Sequence, residues 1–337
     1  MILAGDIGGT KTKLALYSVQ DDKVVPTAKK TFSSKDYSSL EAVLREFLAG
    51  STAPITAACF GVAGPVIGGT SKTPNLPWFL DSRELARCLG LDSVTLINDL
   101  EATGYGVGTL DAGEFLTLSA GNPEPQANIG LIAAGTGLGQ AMLYWAGSGY
   151  RVLASEAGHA DYAPRTPLEI ELLSHLMPRF GHVSYERVIS GPGLFNIYTF
   201  LREAKHFSEP GWLKERLAGA DPSAVISVAG LANEAEICVK ALDMFVCAYG
   251  AEAGNLGLRA KALGGIYLGG GIAPKILPKL TDGDFMRAFT DKGRYSEFVS
   301  RVPVRVILND EAALRGAASY GAEMMRRGGS RTAPTSR

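Results

Sequence analysis

Hydrophobic and polar positions in the first part of the chain follow the spacing of strands and then that of helices. Apolar runs at residues 1–4 and 14–17 flank a Gly-Gly pair, which predicts two strands joined by a tight turn. From Leu40 to Leu48 apolar residues recur three or four apart, with Ser38 and Glu41 as a capping box, which predicts a helix. Further strands are predicted at residues 23–32, 55–62 and 94–97, and a second helix at 81–89. This order is typical of an α/β layer domain.

The second half of the chain starts again with a buried strand and is richer in helix. An apolar run at residues 129–134 leads into a second glycine turn and a return strand at 140–145. Thr166, Pro167 and Glu169 supply the capping residue, the first helical position and the third residue after the cap of a helix. Further helices are predicted at 193–206, 211–217, 232–259 and 311–325, and further strands at 263–268 and 303–308.

A composition shift marks the domain boundary. Residues 103–113 carry four glycines, and a polar loop with prolines follows at 121–126. We expect a small α/β domain of residues 1–105 and about 303–325, a large α/β domain of residues 106–302, and a disordered Gly-, Ser-, Pro- and Arg-rich tail at 326–337. One glycine turn in each half indicates an internal duplication, which stands as a hypothesis.

Bulk composition excludes several classes of protein. A hydrophobic content of 46% and a charged content of 20% are typical of a folded soluble chain. The net charge of −1 gives no electrostatic case for a nucleic acid or membrane partner, and no apolar run has the length of a membrane span. The first residues lack a signal-peptide pattern, and the four scattered cysteines are typical of reduced core thiols, so we expect a cytoplasmic protein. None of the four histidines has metal-binding spacing.

The first glycine turn offers the groups of a phosphate cradle. The N–H groups of Gly8 and Gly9, the Thr10 hydroxyl and the Lys11 ammonium all lie at one tip. Asp6 would repel phosphate directly, so we expect it to act on a cation such as Mg²⁺ through a water. An ordinary Gly-Gly hairpin with a surface aspartate is the alternative.

Two later glycine segments extend the same idea to a whole nucleotide. Thr136 and Gly137 form the second turn, and we expect them to hold the terminal phosphate. Gly270 and Gly271 follow the predicted strand at 263–268, where a flat adenine and its ribose could lie against a surface without side chains. A close helix–strand crossing is the alternative for this glycine segment.

A strand end carries the candidate for acid–base chemistry. Asn98 and Asp99 follow a predicted strand, and ligands of open α/β sheets bind beyond the carboxyl ends of strands. A carboxylate there can accept the proton of an attacking hydroxyl, and the amide can orient that substrate. The alternative is an Asx cap for the segment at 100–102.

Other polar residues could hold the hydroxyl groups of a polyol. Glu156 and His159 lie three apart around small residues, and Asn75 and Glu186 lie beside helix breakers or apolar runs. Each has an ordinary structural alternative: a surface glutamate, a hydrogen-bonded histidine or, for Glu186, a carboxylate at a helix N-terminus.

Taken in order, these segments resemble the superfamily of sugar kinases, actin and heat-shock-chaperone ATPases. Its two phosphate segments, two connecting segments and adenosine segment are matched by residues 5–12, 133–139, 97–102, 311–318 and 267–272. Within that superfamily the chain resembles bacterial ATP-dependent glucokinases, whose sugar signatures are matched at 155–164 and 181–194 and continue at 285–299. The resemblance implies a two-domain actin-like ATPase (ribonuclease H-like) fold with a cleft between a small and a large domain.

The resemblance also implies roles for individual residues. Asp99 would be the general base on the sugar 6-hydroxyl, Asn98, Glu156, His159 and Glu186 would bind the other hydroxyls, and Asn75 would lie in the facing loop. ATP and Mg²⁺ would be held by Gly5, Asp6, Gly8, Gly9, Thr10, Lys11, Thr136, Gly137, Gly270 and Gly271. Two positions depart from the pattern: Lys11 replaces the usual asparagine, and Ala157 replaces a glycine.

The implied activity is phosphoryl transfer from Mg-ATP to the 6-hydroxyl of glucose, at the entry to glycolysis, by a homodimer. A kinase for mannose, glucosamine or N-acetylmannosamine is the alternative within enzymes, since the signatures do not select an epimer. A sugar-sensing regulator on the same scaffold is the alternative from another class; it would need a DNA-reading module, which we do not expect because the first predicted strand starts at once and there is no basic excess. A chaperone- or actin-like ATPase is the third alternative, and it would hydrolyse ATP without sugar.

Overall fold

The structure, a computed structural model, describes residues 1–21, 23–73 and 76–329 and divides into two compact units. The first unit holds residues 1–112 and the chain from Asn309 onward, and the second holds residues 113–308. Both boundaries fall a few residues from the predicted ones. A Cβ atom on Gly106 would lie 2.0 Å from the Ala312 carbonyl oxygen, so a tight helix contact keeps the residues around 106 in the first unit.

The strands alternate with helices along much of the chain. The strands are β1 (Ile2–Ile7), β2 (Lys11–Gln20), β3 (Lys23–Ser33), β4 (Ala57–Val62), β5 (Thr70–Lys72), β6 (Phe79–Asp81), β7 (Thr95–Asn98), β8 (Phe115–Ser119), β9 (Ile129–Ala134), β10 (Leu138–Trp145), β11 (Tyr150–Ser155), β12 (Gly265–Gly269) and β13 (Val304–Ile307). The helices are α1 (Leu40–Leu48), α2 (Ser82–Leu89), α3 (Asp99–Val107), α4 (Pro167–Phe180), α5 (Gly191–Ala204), α6 (Gly211–Gly219), α7 (Pro222–Leu231), α8 (Glu236–Ala260), α9 (Leu277–Leu280), α10 (Asp284–Thr290), α11 (Ser296–Ser300) and α12 (Ala312–Gly329).

The first unit is built on a five-stranded sheet in the order β3-β2-β1-β4-β7. Because side chains alternate across a strand, β1 sends Leu3 and Ile7 to one face and Ile2 and Ala4 to the other. Residues of α1 and α2 cover the first face, and those of α3 and the Ala-rich α12 cover the second. β4 runs parallel to both β1 and β7, so the carboxyl ends of these three strands meet at one edge.

The second unit is built on a six-stranded sheet in the order β11-β10-β9-β12-β13-β8. β12 runs parallel to β9 and pairs Gly269 with Ala133. The strand ends that lead into Gly135 and Gly270 are therefore neighbours at one edge. The long helix α8 supplies many of the residues buried in this unit, among them Phe245 and Tyr249.

Most predicted elements are present, with shifts at their ends. Ser39, not the predicted Ser38, caps α1, and its hydroxyl accepts a hydrogen bond from the N–H of Ala42. Thr166 caps α4 as predicted and accepts from the N–H of Glu169 at 3.2 Å. The last helix continues to Gly329, beyond its predicted end at residue 325. Residues 330–337 of the predicted disordered tail lie outside the described part.

Local sequence patterns did not lead us to expect α7, the hairpin β5–β6 or the strands β8 and β11. The helix α7 begins after Asp221, whose carboxylate accepts from the N–H of Ser223 at 3.0 Å. A capping aspartate followed by proline at the first helical position is a sequence pattern that predicts a helix start. Of the four cysteines, Cys88 is exposed and so is not a core thiol. In the described residues no helix combines the length and apolar character needed to cross a membrane.

Candidate active site

The first glycine turn is held rigidly by a residue that the sequence analysis did not select. Buried Ser34 follows β3, and its hydroxyl donates to the carbonyl oxygen of Gly8 at 2.7 Å and lies 3.0 Å from the Thr12 hydroxyl. Its N–H donates to the carbonyl oxygen of Thr10 at 3.0 Å. Three contacts from one serine fix the turn before any ligand binds. Only the contacts of the folded chain reveal this role.

The turn residues differ in exposure in a way that suits phosphate binding. Gly8 and Gly9 are half-buried, whereas Thr10 and Lys11 are exposed at the tip. Gly5 lies deeper in β1, where a Cβ atom would come within 2.6 Å of the Phe60 ring. Gly5 therefore serves strand packing, and the tip residues are the ones available to a ligand.

Asp6, the penultimate residue of β1, lies in an environment that disfavours its charge. Burial raises its pKa to about 6; Lys13 opposes that rise, and the charges of Asp99 and Asp310 add to it. Lys13 is itself paired with Asp310, with 2.7 Å between Nζ and Oδ2. A cation near Asp6 would relieve this unfavourable ionisation. The described residues contain no group of three or more His, Cys, Asp or Glu side chains that could cage a metal.

Asn98 and Asp99 occupy the carboxyl end of β7, as predicted. The Asn98 side chain accepts from the N–H of Leu100 at 2.8 Å and donates to the carbonyl oxygen of Gly64 at 2.9 Å, so the Asx cap is real. Asp99 Oδ1 also accepts from the N–H of Leu100 at 2.8 Å, which orients the carboxylate. Asp6 and Asp99 lie at the same edge of the sheet and influence each other electrostatically.

The second glycine turn is supported by Glu186. One carboxylate oxygen of this half-buried residue accepts from the N–H of Leu138 at 2.9 Å, and a Cβ atom on Gly137 would lie only 2.6 Å from the same oxygen. The Gly191 N–H donates to the carbonyl oxygen of Gly135 at 2.8 Å, which joins the turn to the start of α5. Thr136 is exposed at the tip.

Two loops bring the predicted sugar ligands of this unit together. Glu156 and His159 are exposed beside a short 3₁₀ turn, and His159 Nδ1 lies 4.0 Å from Glu186 Oε1. The loops are joined by main-chain bonds, because the Tyr185 N–H donates to the carbonyl oxygen of Ala160 at 3.0 Å. His159 and Glu186, which come from separate signatures, are thus neighbours, and Glu156 precedes the turn that carries His159; we call these three predicted ligands the sugar cluster.

The third glycine segment has the geometry that only glycine allows. Gly270 has a φ of +79°, and a Cβ atom there would lie 2.3 Å from the Ala134 carbonyl oxygen. Gly271 is exposed with open space where a side chain would be, beside the edge that carries Thr136. The predicted ligand Asn75 lies outside the described residues.

Comparison with known proteins adds an independent line of evidence. The glucokinase family model matches residues 3–324. The chain belongs to the glucokinase family. A glucokinase from Nostoc punctiforme is 42% identical over 339 residues, which cover 96% of this chain and 99% of that protein. A glucokinase from Cronobacter sakazakii is 36% identical over 318 residues, which cover 94% and 96% of the two chains.

Solved structures agree with the fold of this family member. The crystal structure of a glucokinase from an Antarctic psychrotroph matches with a TM-score of 0.85 and 32% identity, over 96% of this chain and 98% of that one. A ROK family glucokinase from Streptomyces griseus, solved with glucose and AMPPNP, shares the fold with a TM-score of 0.62 at 19% identity, over 96% and 99% of the two chains. The predicted resemblance, the actin-like ATPase fold class and the assignment as a glucokinase-type enzyme are confirmed.

Proposed function

We propose that the chain transfers the γ-phosphoryl group of Mg-ATP to the 6-hydroxyl of D-glucose, giving glucose 6-phosphate and ADP. The observation that carries this proposal is the placement of Asp99 beside Asn98 at the sheet edge that also holds Asp6 and leads into the first glycine turn. Membership of the glucokinase family supports glucose as the acceptor. A hydroxyl acceptor needs a positioned base, and a phosphoryl donor needs a cradle with compensated charge.

Asp99 takes the proton of the sugar hydroxyl in this proposal. Phosphoryl transfer demands little covalent help from the protein, so the base acts late and its position matters most. The hydrogen bond from the Leu100 N–H to Asp99 Oδ1 supplies that position. The cap that Asn98 forms on α3 fixes the neighbouring amide, which orients the sugar.

The phosphate groups are assigned to the two glycine turns. The N–H groups of Gly8 and Gly9 with Thr10 and Lys11, and separately Thr136 with Gly137, would hold phosphate oxygens. When bound, Mg²⁺ supplies charge neutralisation to the phosphates, and Asp6 would orient it through a water. Gly270 and Gly271 would take the adenosine part of the nucleotide.

The remaining sugar hydroxyls are assigned to polar residues of the loops. Glu156, His159 and Glu186 form the cluster described above, and Asn98 and Asn75 complete the proposed set. A homodimeric state, a cytoplasmic location and a place in glycolysis stay predictions for this chain.

The direct test is a sugar panel. ADP formation from Mg-ATP would be measured with glucose, mannose, fructose, glucosamine, N-acetylmannosamine and no sugar, with and without a chelator. We expect turnover with glucose, and none without sugar or without Mg²⁺. Faster turnover with another sugar would identify that sugar, and not glucose, as the substrate. Strong ATP hydrolysis without sugar would contradict the proposal.

A further inference from the structure

One buried carboxylate in the second unit connects elements on both sides of the sugar cluster. Glu252 lies on α8 and is fully buried. Its oxygens accept hydrogen bonds from Gln140 Nε2 at 2.8 Å and from Asn255 Nδ2 at 2.9 Å. The Arg259 guanidinium adds two further bonds, at 2.6 and 3.1 Å. A buried charge with this many donors is compensated, and each donor is held in one orientation.

The first branch of this network reaches the loop that carries Glu156. Gln140 is fully buried on β10, and its main-chain oxygen accepts from the Ser155 hydroxyl at 2.9 Å. Ser155 directly precedes Glu156. Gln140 therefore ties the start of this loop to α8, through its main-chain oxygen on the loop side and its side chain on the helix side.

The second branch reaches the loop that carries Glu186. Asn255 Nδ2 also donates to the Tyr185 hydroxyl at 3.1 Å. Tyr185 is buried, directly precedes Glu186, and its N–H joins the two loops through Ala160, the residue after His159. The hydroxyl of Tyr185 is thus the point at which a rigid helix contacts the junction of both loops.

We propose that Glu252 and Asn255 are positioning residues for the sugar cluster, acting through Gln140 and Tyr185. This inference rests on the proposed function, because it assigns the purpose of the cluster to sugar binding. α8 spans 25 residues and is deeply packed, so it is a fixed support, whereas the loops are short turns. A ligand whose partners are already ordered loses less entropy on binding, so loosening the support weakens sugar affinity more than nucleotide affinity.

Tyr185→Phe is the sharpest test, since it removes one oxygen atom and leaves the ring in place. We expect the KM for glucose to rise about three- to tenfold, the effect of one lost hydrogen bond. The KM for ATP should rise less than the KM for glucose, because the first glycine turn keeps its support from Ser34 and only the second turn shares Glu186 with the sugar cluster. Asn255→Leu removes both bonds of the amide at similar volume and should raise the glucose KM at least as much.

The matched control is Tyr198→Phe. Tyr198 lies on α5 of the same unit, away from the loops, and is equally buried. Its hydroxyl donates to Glu209 Oε1 at 2.6 Å. A purely structural role would lower the melting temperature of all three variants and leave the glucose KM of each unchanged.

The measurements distinguish a failure of the positioning role from a failure of the proposed function. Suppose that the wild type turns over glucose, and that Tyr185→Phe and Asn255→Leu both have the same glucose KM as the control variant. This result would overturn the positioning role and leave the proposed function intact. Absence of sugar-dependent turnover in the wild type would overturn both.

Discussion

Individual side chains near the carboxyl end of β1 show how burial and neighbouring charge change the ionisation of one carboxyl group. Asp6 is half-buried, and Asp99 and Asp310 add negative charge around it. Ionising Asp6 is therefore unfavourable in the metal-free protein, and only Lys13 opposes that cost among the groups that shift its pKa. The sequence predicts a cation near Asp6, but it does not show that burial and the charges of Asp99 and Asp310 raise the pKa of Asp6.

The raised pKa of Asp6 gives a prediction about stability and pH. The folded protein keeps Asp6 protonated up to about pH 6, whereas the unfolded chain releases that proton near the ordinary aspartate pKa of 3.8. This contribution to stability is full at low pH and is lost as pH rises through about 6. In metal-free buffer, the free energy of unfolding of Asp6→Asn, relative to that of the wild type, should therefore increase by about 1 kcal/mol between about pH 5 and about pH 7.5.

Urea unfolding at the two pH values measures that gain. Asp92→Asn, a change at an exposed carboxylate of the same unit, is the control and should show no such pH dependence. An Asp6→Asn effect that is equal at both pH values would contradict the account of Asp6.

At the scale of elements, local signals in the sequence placed the glycine turns and most strands, while contacts between distant segments decided what the turns do. For Glu186 the sequence offers a sugar hydroxyl or a helix N-terminus as partner, yet one of its oxygens also accepts from the N–H of Leu138, 48 residues earlier. Ser34 holds the first turn from 26 residues beyond Gly8. No periodicity or capping rule contains these pairings, because they arise only when the strands are assembled.

One glycine of the sugar loop makes the packing of its element testable. A Cβ atom on Gly158 would lie 1.8 Å from the Leu138 carbonyl oxygen, so Gly158→Ala must displace the turn between Glu156 and His159. We expect the glucose KM to rise by about tenfold or more, because two proposed ligands move together.

Gly149→Ala is the matched control for this substitution. A Cβ atom there meets nothing within 4 Å, so the variant should keep the wild-type KM values. Melting curves of both proteins would show whether Gly158→Ala still folds. A folded Gly158→Ala protein with an unchanged glucose KM would contradict the placement of the sugar loop.

At the scale of the whole molecule, the order of strands and helices predicted an α/β chain in two parts, and the structure has two compact units with their own sheets. The helix α12, which follows β13, belongs to the first unit, as its Ala-rich pattern indicates. Only small residues allow α12 to approach α3 so closely, because a Cβ atom on Gly316 would lie 1.7 Å from the Ala102 carbonyl oxygen. Edge strands such as β11 escaped prediction because they are short and half exposed. The network around Glu252 was equally invisible, since its members come from three distant elements.

The central claim is that this chain is a hexose kinase whose base is Asp99. The measurement that tests it most directly compares wild type and Asp99→Asn in glucose-dependent ADP formation and, in parallel, in glucose affinity by calorimetry. Asparagine keeps an oxygen that can accept from the Leu100 N–H, so the variant should bind glucose nearly as well. The account predicts a loss of turnover of about 10²–10⁴-fold, the usual contribution of a general base. Turnover within about tenfold of wild type, or a loss of glucose affinity as large as the loss of turnover, would contradict it.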